Sequence, residues 1–136
     1  TKVDIIIDDN EILYPYATEG EVDFMLSTAD KAYQSFKSGV KSGGILVVEP
    51  NLVYPKPEDF EKWKIYKIPI ITIAKDEVGN VATQSVVALA IAAYMTQCID
   101  LAELRKVMLE MVPAKTRELN AKAFDLGVEY AKKAIS

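Results

Sequence analysis

Two short apolar runs with a single helix between them constrain this chain more than any other feature. VDFML at 22–26 and ILVVE at 45–49 are strand-length and nearly continuous in apolar residues, as in strands covered by helices above and below. Between them Ser27 and Thr28 offer caps for a helix TADKAYQSFK, with Ala29, Ala32, Tyr33 and Phe36 at helical spacing. Gly39 closes that helix, and KSGG turns the chain into the second run. Strand, helix and strand in this order predict a parallel βαβ unit with a right-handed crossover.

The flanking segments extend the pattern. VDIII at 3–7, the turn residues DDNE at 8–11 and EILYP after them read as a hairpin that ends at Pro15. Past Pro50, NLVYPKP is a loop, PEDFEKW a short helix opened by Pro57, and KIYKIPII a third strand interrupted at Pro69. From Thr72 onward the signal is helical: a turn TIAKDEV ends at Gly79, and Asn80 precedes the Ala-rich run VATQSVVALAIAAYMTQC. Its uninterrupted apolar part, Val86 to Met95, falls far short of the roughly 20 residues a bilayer requires, so it reads as a core or interface helix. Asp100 and Glu103 frame a further helix that Pro113 stops, and Lys115 to Ile135 forms the last, with Leu119, Ala123, Leu126 and Tyr130 on one face. The fold class expected is α/β: one three-layer domain over 1–136, a mostly parallel sheet with N-terminal hairpin strands, helical crossovers and a C-terminal all-helical stretch. Because the chain opens on TKVDIII, inside a strand, a further segment ahead of it is expected.

Composition then narrows the chemistry. Histidine is absent and Cys98 is the only cysteine, so neither a histidine-based triad nor a zinc or iron–sulfur site can be assembled on this chain, and a reduced, cytoplasmic setting is favoured. The net charge of −4 and the presence of only two arginines, Arg105 and Arg117, argue against a nucleic-acid binder. Charge is unevenly spread: residues 1–30 hold one lysine and eight carboxylates, net −7, and the remainder holds fifteen basic against twelve acidic residues, net +3. An acidic edge on a mildly basic body can guide a partner or simply face solvent.

Few residues offer themselves as a site. Gly43 and Gly44 precede a strand instead of opening a helix, so they make no phosphate loop. Asp8 with Asp9, and Asp76 with Glu77, are neighbours in turns, and Lys75 and Lys115 lack an apolar pocket that would activate an amine. Gly79 and Asn80 form a helix start suited either to N-capping or to an anion. No catalytic residue and no metal ligand set is expected.

Four stretches, in order, carry a resemblance: ILYPYATEGEVDFMLS with the AY of the next helix, GVKSGGILVVEPNLV, IPIITIAKDEVGN with its Ala-rich helix, and MVPAKTRELNAKAFDLG. Together they resemble the gamma subunit, or gamma domain, of the 2-oxoacid:ferredoxin (acceptor) oxidoreductases, closest to the 2-oxoglutarate branch, with pyruvate and branched-chain enzymes as alternatives. That resemblance implies a non-catalytic assembly part of an enzyme that decarboxylates a 2-oxoacid to an acyl-CoA. It implies thiamine diphosphate, Mg²⁺, iron–sulfur clusters and CoA on or between other subunits, none on this chain. Alpha, beta and ferredoxin-like subunits are the implied partners, with ferredoxin or a related acceptor reached through the complex. It also implies a Gly-rich GxGGQG-type segment ahead of residue 1. Tyr14, Pro15, Asn120, Phe124 and Gly127 match the family pattern and are expected at packing and interface positions, Gly127 where another helix or subunit comes close. Ser85 and Ala90 stand where relatives place Asn and Gly. A stand-alone small-molecule binding module and a self-contained enzyme remain the competing readings.

Overall fold

Two-sided burial sets the centre of the molecule. The computed structural model describes residues 2–14 and 16–136. Among these, β1 (Val22–Ser27), β2 (Val40–Val48) and β3 (Lys64–Lys67) form one sheet in the order β1-β2-β3, parallel throughout. α1 (Asp30–Phe36) and a tight turn Lys37–Gly39 connect β1 to β2, and α2 (Asp59–Lys62) connects β2 to β3. α3 (Ile70–Thr72) runs directly into a wide helical turn Ile73–Val78. Then follow α4 (Gln84–Thr96), α5 (Leu101–Met111) and α6 (Arg117–Ile135).

Successive side chains of β2 point into different layers, as strand geometry requires. Leu46 and Val48 pack with Tyr33, Val53 and Trp63 on the side of α1 and α2, while Val47 packs with Ile68, Val87, Ile91 and Ala123 on the side of α4 and α6. Each such aliphatic side chain, fully buried, contributes about 1.5–3 kcal/mol, which is why the central strand carries no polar residue from Ile45 to Val48. Trp63 fills the first layer and donates its indole N–H to the Val40 carbonyl at 3.0 Å, tying the end of α2 to the start of β2. α5 rests outside the second layer, where Met108 meets Ala90 and Phe124.

The α/β class, the βαβ unit and the helical C-terminal part are as expected, and three local readings are corrected. The N-terminal hairpin does not form: residues 2–14 hold no strand, although Asp8 accepts from the Asn10 amide at 2.9 Å and so makes its turn. An isolated two-stranded ribbon is marginal in water, and nothing in the described chain covers Val3, Ile5 or Ile7. Pro15, expected to end that ribbon, lies outside the described residues. KSGG is not a turn before β2 but a bulge within it: the pairing jumps from Val22 with Val40 to Phe24 with Ile45, and Gly43 takes φ +82°. The start of α1 has no side-chain cap, since the Ser27 hydroxyl donates to the Ala29 carbonyl instead. No helix among the described residues is long and apolar enough to cross a membrane.

Candidate functional site at the carboxyl edge of the sheet

Parallel α/β sheets place ligands outside the carboxyl ends of their strands, so that edge is where a site belongs. Here the edge is held by Glu49, just past β2 and 1% exposed. One oxygen accepts from the Asn51 side-chain amide at 2.9 Å and its backbone N–H at 3.3 Å, and the other accepts from the Ile71 amide at 3.0 Å. The Glu49 N–H in turn donates to the Ser27 carbonyl at 3.0 Å, so one residue binds the ends of β1 and β2 to the first turn of α3. A buried carboxylate with N–H donors on both oxygens is an anchor for the backbone, not a free base. Sequence reading treated Glu49 only as the last letter of an apolar run; an acid closing such a run ahead of Pro50 and Asn51 is the signal that could have found it.

A second polar knot braces the opposite layer. Asp59 is buried and accepts from the Tyr33 hydroxyl at 2.8 Å, the Lys56 amide at 3.0 Å and the Lys37 ammonium at 3.0 and 3.1 Å. Burial pushes the Asp59 carboxyl up, but the Lys56 amide, the Tyr33 hydroxyl and Lys37 outweigh it and hold the group below the usual carboxylate range. Burial and the Asp59 hydrogen bond push the Tyr33 phenol well up. The knot ties α1 to α2 and lies entirely inside the chain.

At the expected anion site, Gly79 has φ +88° and both its amide and that of Asn80 point back to the Ala74 carbonyl. The Asn80 side chain caps the helix start, though it accepts from Ala82 at 3.0 Å and not from Thr83, whose amide and hydroxyl both bond the Asn80 carbonyl instead. The amides of Gly79, Asn80, Ala82 and Thr83 are thus all engaged within the chain. Replacing Asn80 by Ala is expected to cost about 1 kcal/mol, read as a lower urea midpoint with unchanged slope.

The remaining expected positions divide. Tyr14 is exposed, whereas Asn120, Phe124 and Gly127 are buried on α6. The Asn120 side chain donates to the Thr116 carbonyl at 3.0 Å, and the element that comes close at Gly127 is α4 of the same chain: a Cβ there would lie 2.7 Å from the Val87 carbonyl oxygen. Lys75, Lys115, Asp76 and Glu77 are exposed and do not converge. Among the described residues no three carboxylates or thiols gather as a metal site, and the lone exposed thiol of Cys98 does not fit an iron–sulfur cluster, which needs several thiolates.

Residues 1–130 match the family model described as pyruvate ferredoxin/flavodoxin oxidoreductase. The chain is 29% identical over 132 residues to the 2-oxoglutarate synthase subunit KorC of Methanocaldococcus jannaschii, covering 97% of this chain and 70% of that one. Against KorC of Methanothermobacter thermautotrophicus it is 26% identical over 133 residues, covering 95% and 69%. Among solved structures, the keto/oxoacid ferredoxin oxidoreductase gamma subunit of Geobacter sulfurreducens superposes with TM-score 0.74 at 30% identity, covering 82% of this chain and 65% of that one. The chain therefore spans about two thirds of the length of these relatives. A 2-oxoglutarate:ferredoxin oxidoreductase from Magnetococcus marinus shares the fold, with TM-score 0.67 at 22% identity over 88% of this chain and 22% of that one. With the match running almost from end to end over the layers just described, the chain belongs to the pyruvate ferredoxin/flavodoxin oxidoreductase family.

Proposed function

We propose that this chain is the gamma-type subunit of a 2-oxoacid:ferredoxin (acceptor) oxidoreductase acting on 2-oxoglutarate, with a role in assembling the complex and closing its active site. One observation carries the reading: similarity to 2-oxoglutarate synthase subunits extends over 97% of the chain. The inward-turned edge at Glu49 agrees with a part that needs no reactive group of its own. Thiamine diphosphate with Mg²⁺, CoA and iron–sulfur clusters belong in this reading to other subunits, where they supply the decarboxylation, the acyl acceptor and the electron path. Alpha, beta and ferredoxin-like subunits are the partners, ferredoxin or a related acceptor receives the electrons, and the setting is the reducing cytoplasm that a free Cys98 tolerates. The whole chain is taken as one gamma-type domain that in its relatives follows a Gly-rich segment. Tyr14 and Pro15 are proposed as partner contacts; Asn120, Phe124 and Gly127 serve indirectly, by seating α6 against the rest of the chain. A pyruvate or branched-chain substrate is the alternative within the family. A stand-alone binding module is disfavoured by the Glu49 carboxylate, whose two oxygens are both engaged within the chain at the carboxyl edge.

Co-expression with the alpha and beta subunits of a 2-oxoglutarate enzyme tests this. The expected result is one co-purifying complex that forms succinyl-CoA, while the chain alone is colourless and inert toward 2-oxoacids. Iron–sulfur absorbance or 2-oxoacid turnover in the pure chain, or failure to join the complex, overturns it. The same complex tests Gly79 and Asn80 as an anion site: Asn80→Asp keeps the cap but repels a phosphate, so a KM for CoA raised at unchanged melting temperature would assign them that role.

A further inference from the structure

Between β2 and α2 the chain follows no repeating pattern, yet each of its backbone N–H groups from Asn51 to Lys56 has an acceptor. The Asn51 amide donates to the Glu49 carboxylate at 3.3 Å, and those of Leu52 and Val53 donate to the Glu49 carbonyl at 3.2 and 2.9 Å. The Tyr54 amide donates to the Asp30 carboxylate at 2.8 Å, and the Lys56 amide to the Asp59 carboxylate at 3.0 Å. Pro50, Pro55 and Pro57 bring no N–H that would need a partner. Carboxylates from three elements thus hold the one segment 50–57: Asp30 opens α1, Glu49 follows β2 and Asp59 opens α2.

The clasps are joined to one another. Asp30, Gln34 and Lys37 follow one face of α1 and the turn after it, at helical spacing. Asp30 accepts from the Gln34 side-chain amide at 3.3 Å, Gln34 accepts from the Lys37 ammonium at 2.9 Å, and Lys37 donates to Asp59 at 3.0 and 3.1 Å. Gln34 also donates to the Tyr54 carbonyl at 3.1 Å, so α1 grips Tyr54 by both of its backbone polar groups. Among residues 50–57 only Val53 is buried, in the layer with Tyr33, Leu46, Val48 and Trp63. One apolar anchor and a connected set of polar clasps make a segment of low local stability whose parts open together. We propose that residues 50–57 form a strap that lifts as one unit from the carboxyl edge of the sheet, freeing Asp30, Glu49 and Asp59 from its amides while the sheet and α4–α6 stay folded. The edge then has two states, the closed one described above and an open one in which water reaches these acids. The device is built from contacts within this chain and does not rest on which complex the chain joins.

Native-state hydrogen exchange of the chain, read residue by residue by NMR in low urea, is the test. The amides of Asn51, Leu52, Val53, Tyr54 and Lys56 are expected to share one opening free energy, lower than that of β2 and α6 and with a smaller urea slope. Asp30→Ala is expected to speed exchange of all five by about tenfold or more and to leave β2 and α6 unchanged. Lys56 is the decisive amide, because its own acceptor, Asp59, is untouched by that substitution. Asp30→Asn keeps an acceptor oxygen and restores most of the protection. Because Asp30 also begins α1, Gln34→Ala supplies a second release: it favours the helix while removing the clasp on the Tyr54 carbonyl and the bridge to Lys37, and it loosens the same five amides. Loss of protection at Tyr54 alone in Asp30→Ala overturns the proposal, and so does exchange of the five amides only through global unfolding. Co-purification with alpha and beta subunits is read separately, so the strap and the subunit reading fail by different observations.

Discussion

Replacing Asp59 by Ala is expected to lower stability by about 3 kcal/mol, a fall in melting temperature on the order of 10 °C, because one substitution leaves three donors without their acceptor, among them the buried Tyr33 hydroxyl and the partly buried Lys37 ammonium. The Tyr33 hydroxyl, the Lys56 amide and the Lys37 ammonium all lose their acceptor, and Lys37 is too enclosed to recover full hydration. Asp59→Asn keeps the shape and costs less, which separates lost hydrogen bonds from lost volume. The pH dependence has a definite sign. With its folded pKa below that of the unfolded chain, Asp59 contributes stability above about pH 4 and loses that contribution as pH falls through the folded value. Tyr33, with its folded pKa raised, contributes fully below about pH 10 and less as pH rises beyond it. Urea midpoints across pH check both limbs: wild type declines at the acid end more steeply than Asp59→Asn. Equal slopes would remove Asp59 from the account.

Gly127→Val is expected to cost about 3 kcal/mol or more, through overpacking where α4 and α6 touch. An added Cβ would meet the Val87 carbonyl oxygen at 2.7 Å and the Ala90 methyl at 2.9 Å, and backbone on one side and a buried methyl on the other leave little to give. Gly127→Ala is milder, since about 1 kcal/mol of helix propensity is recovered against the same clash. Ala90→Gly in the Gly127→Ala background relieves one of the two contacts and is expected to recover part of the loss. The measurement is the chemical-denaturation midpoint of all three variants, and a Gly127→Val midpoint equal to wild type would show that the helices are not pressed together there.

What could be read from the letters alone follows from how locally each feature is determined. β2 was legible because burial on both faces leaves an apolar run, β1 and α1 because their apolar residues keep strand length and helical spacing, and Asp100 was legible as a cap, since its oxygen does accept from Glu103 at 2.8 Å. The family was legible because four stretches match in order, though no single one is decisive. The hairpin misled because VDIII satisfies every local rule for a strand while a strand also needs a neighbour, which local pattern cannot supply. KSGG misled because glycines serve a bulge as readily as a turn, and only the register against β1 tells them apart. Gly127 was recognised as a place of close approach, yet its partner on α4 lies far away in sequence. Glu49 was missed because its role rests on the Ile71 amide, a backbone group with no letter of its own.

Trp63 is the chain's only indole, and it sits in the layer beneath α1 and α2 with its N–H fixed on Val40. Its emission is therefore a built-in optical gauge of that layer alone, whereas the far-ultraviolet dichroism is weighted toward α4, α5 and α6 across the sheet. Denaturation followed in both colours distinguishes a molecule that melts as one from a molecule whose halves part company. In wild type the two curves coincide if β2 transmits the loss of one layer to the other. In Gly127→Val, where the disturbance lies between α4 and α6, a dichroism transition that leads the fluorescence transition would measure how far a single strand can insulate two faces of the same sheet.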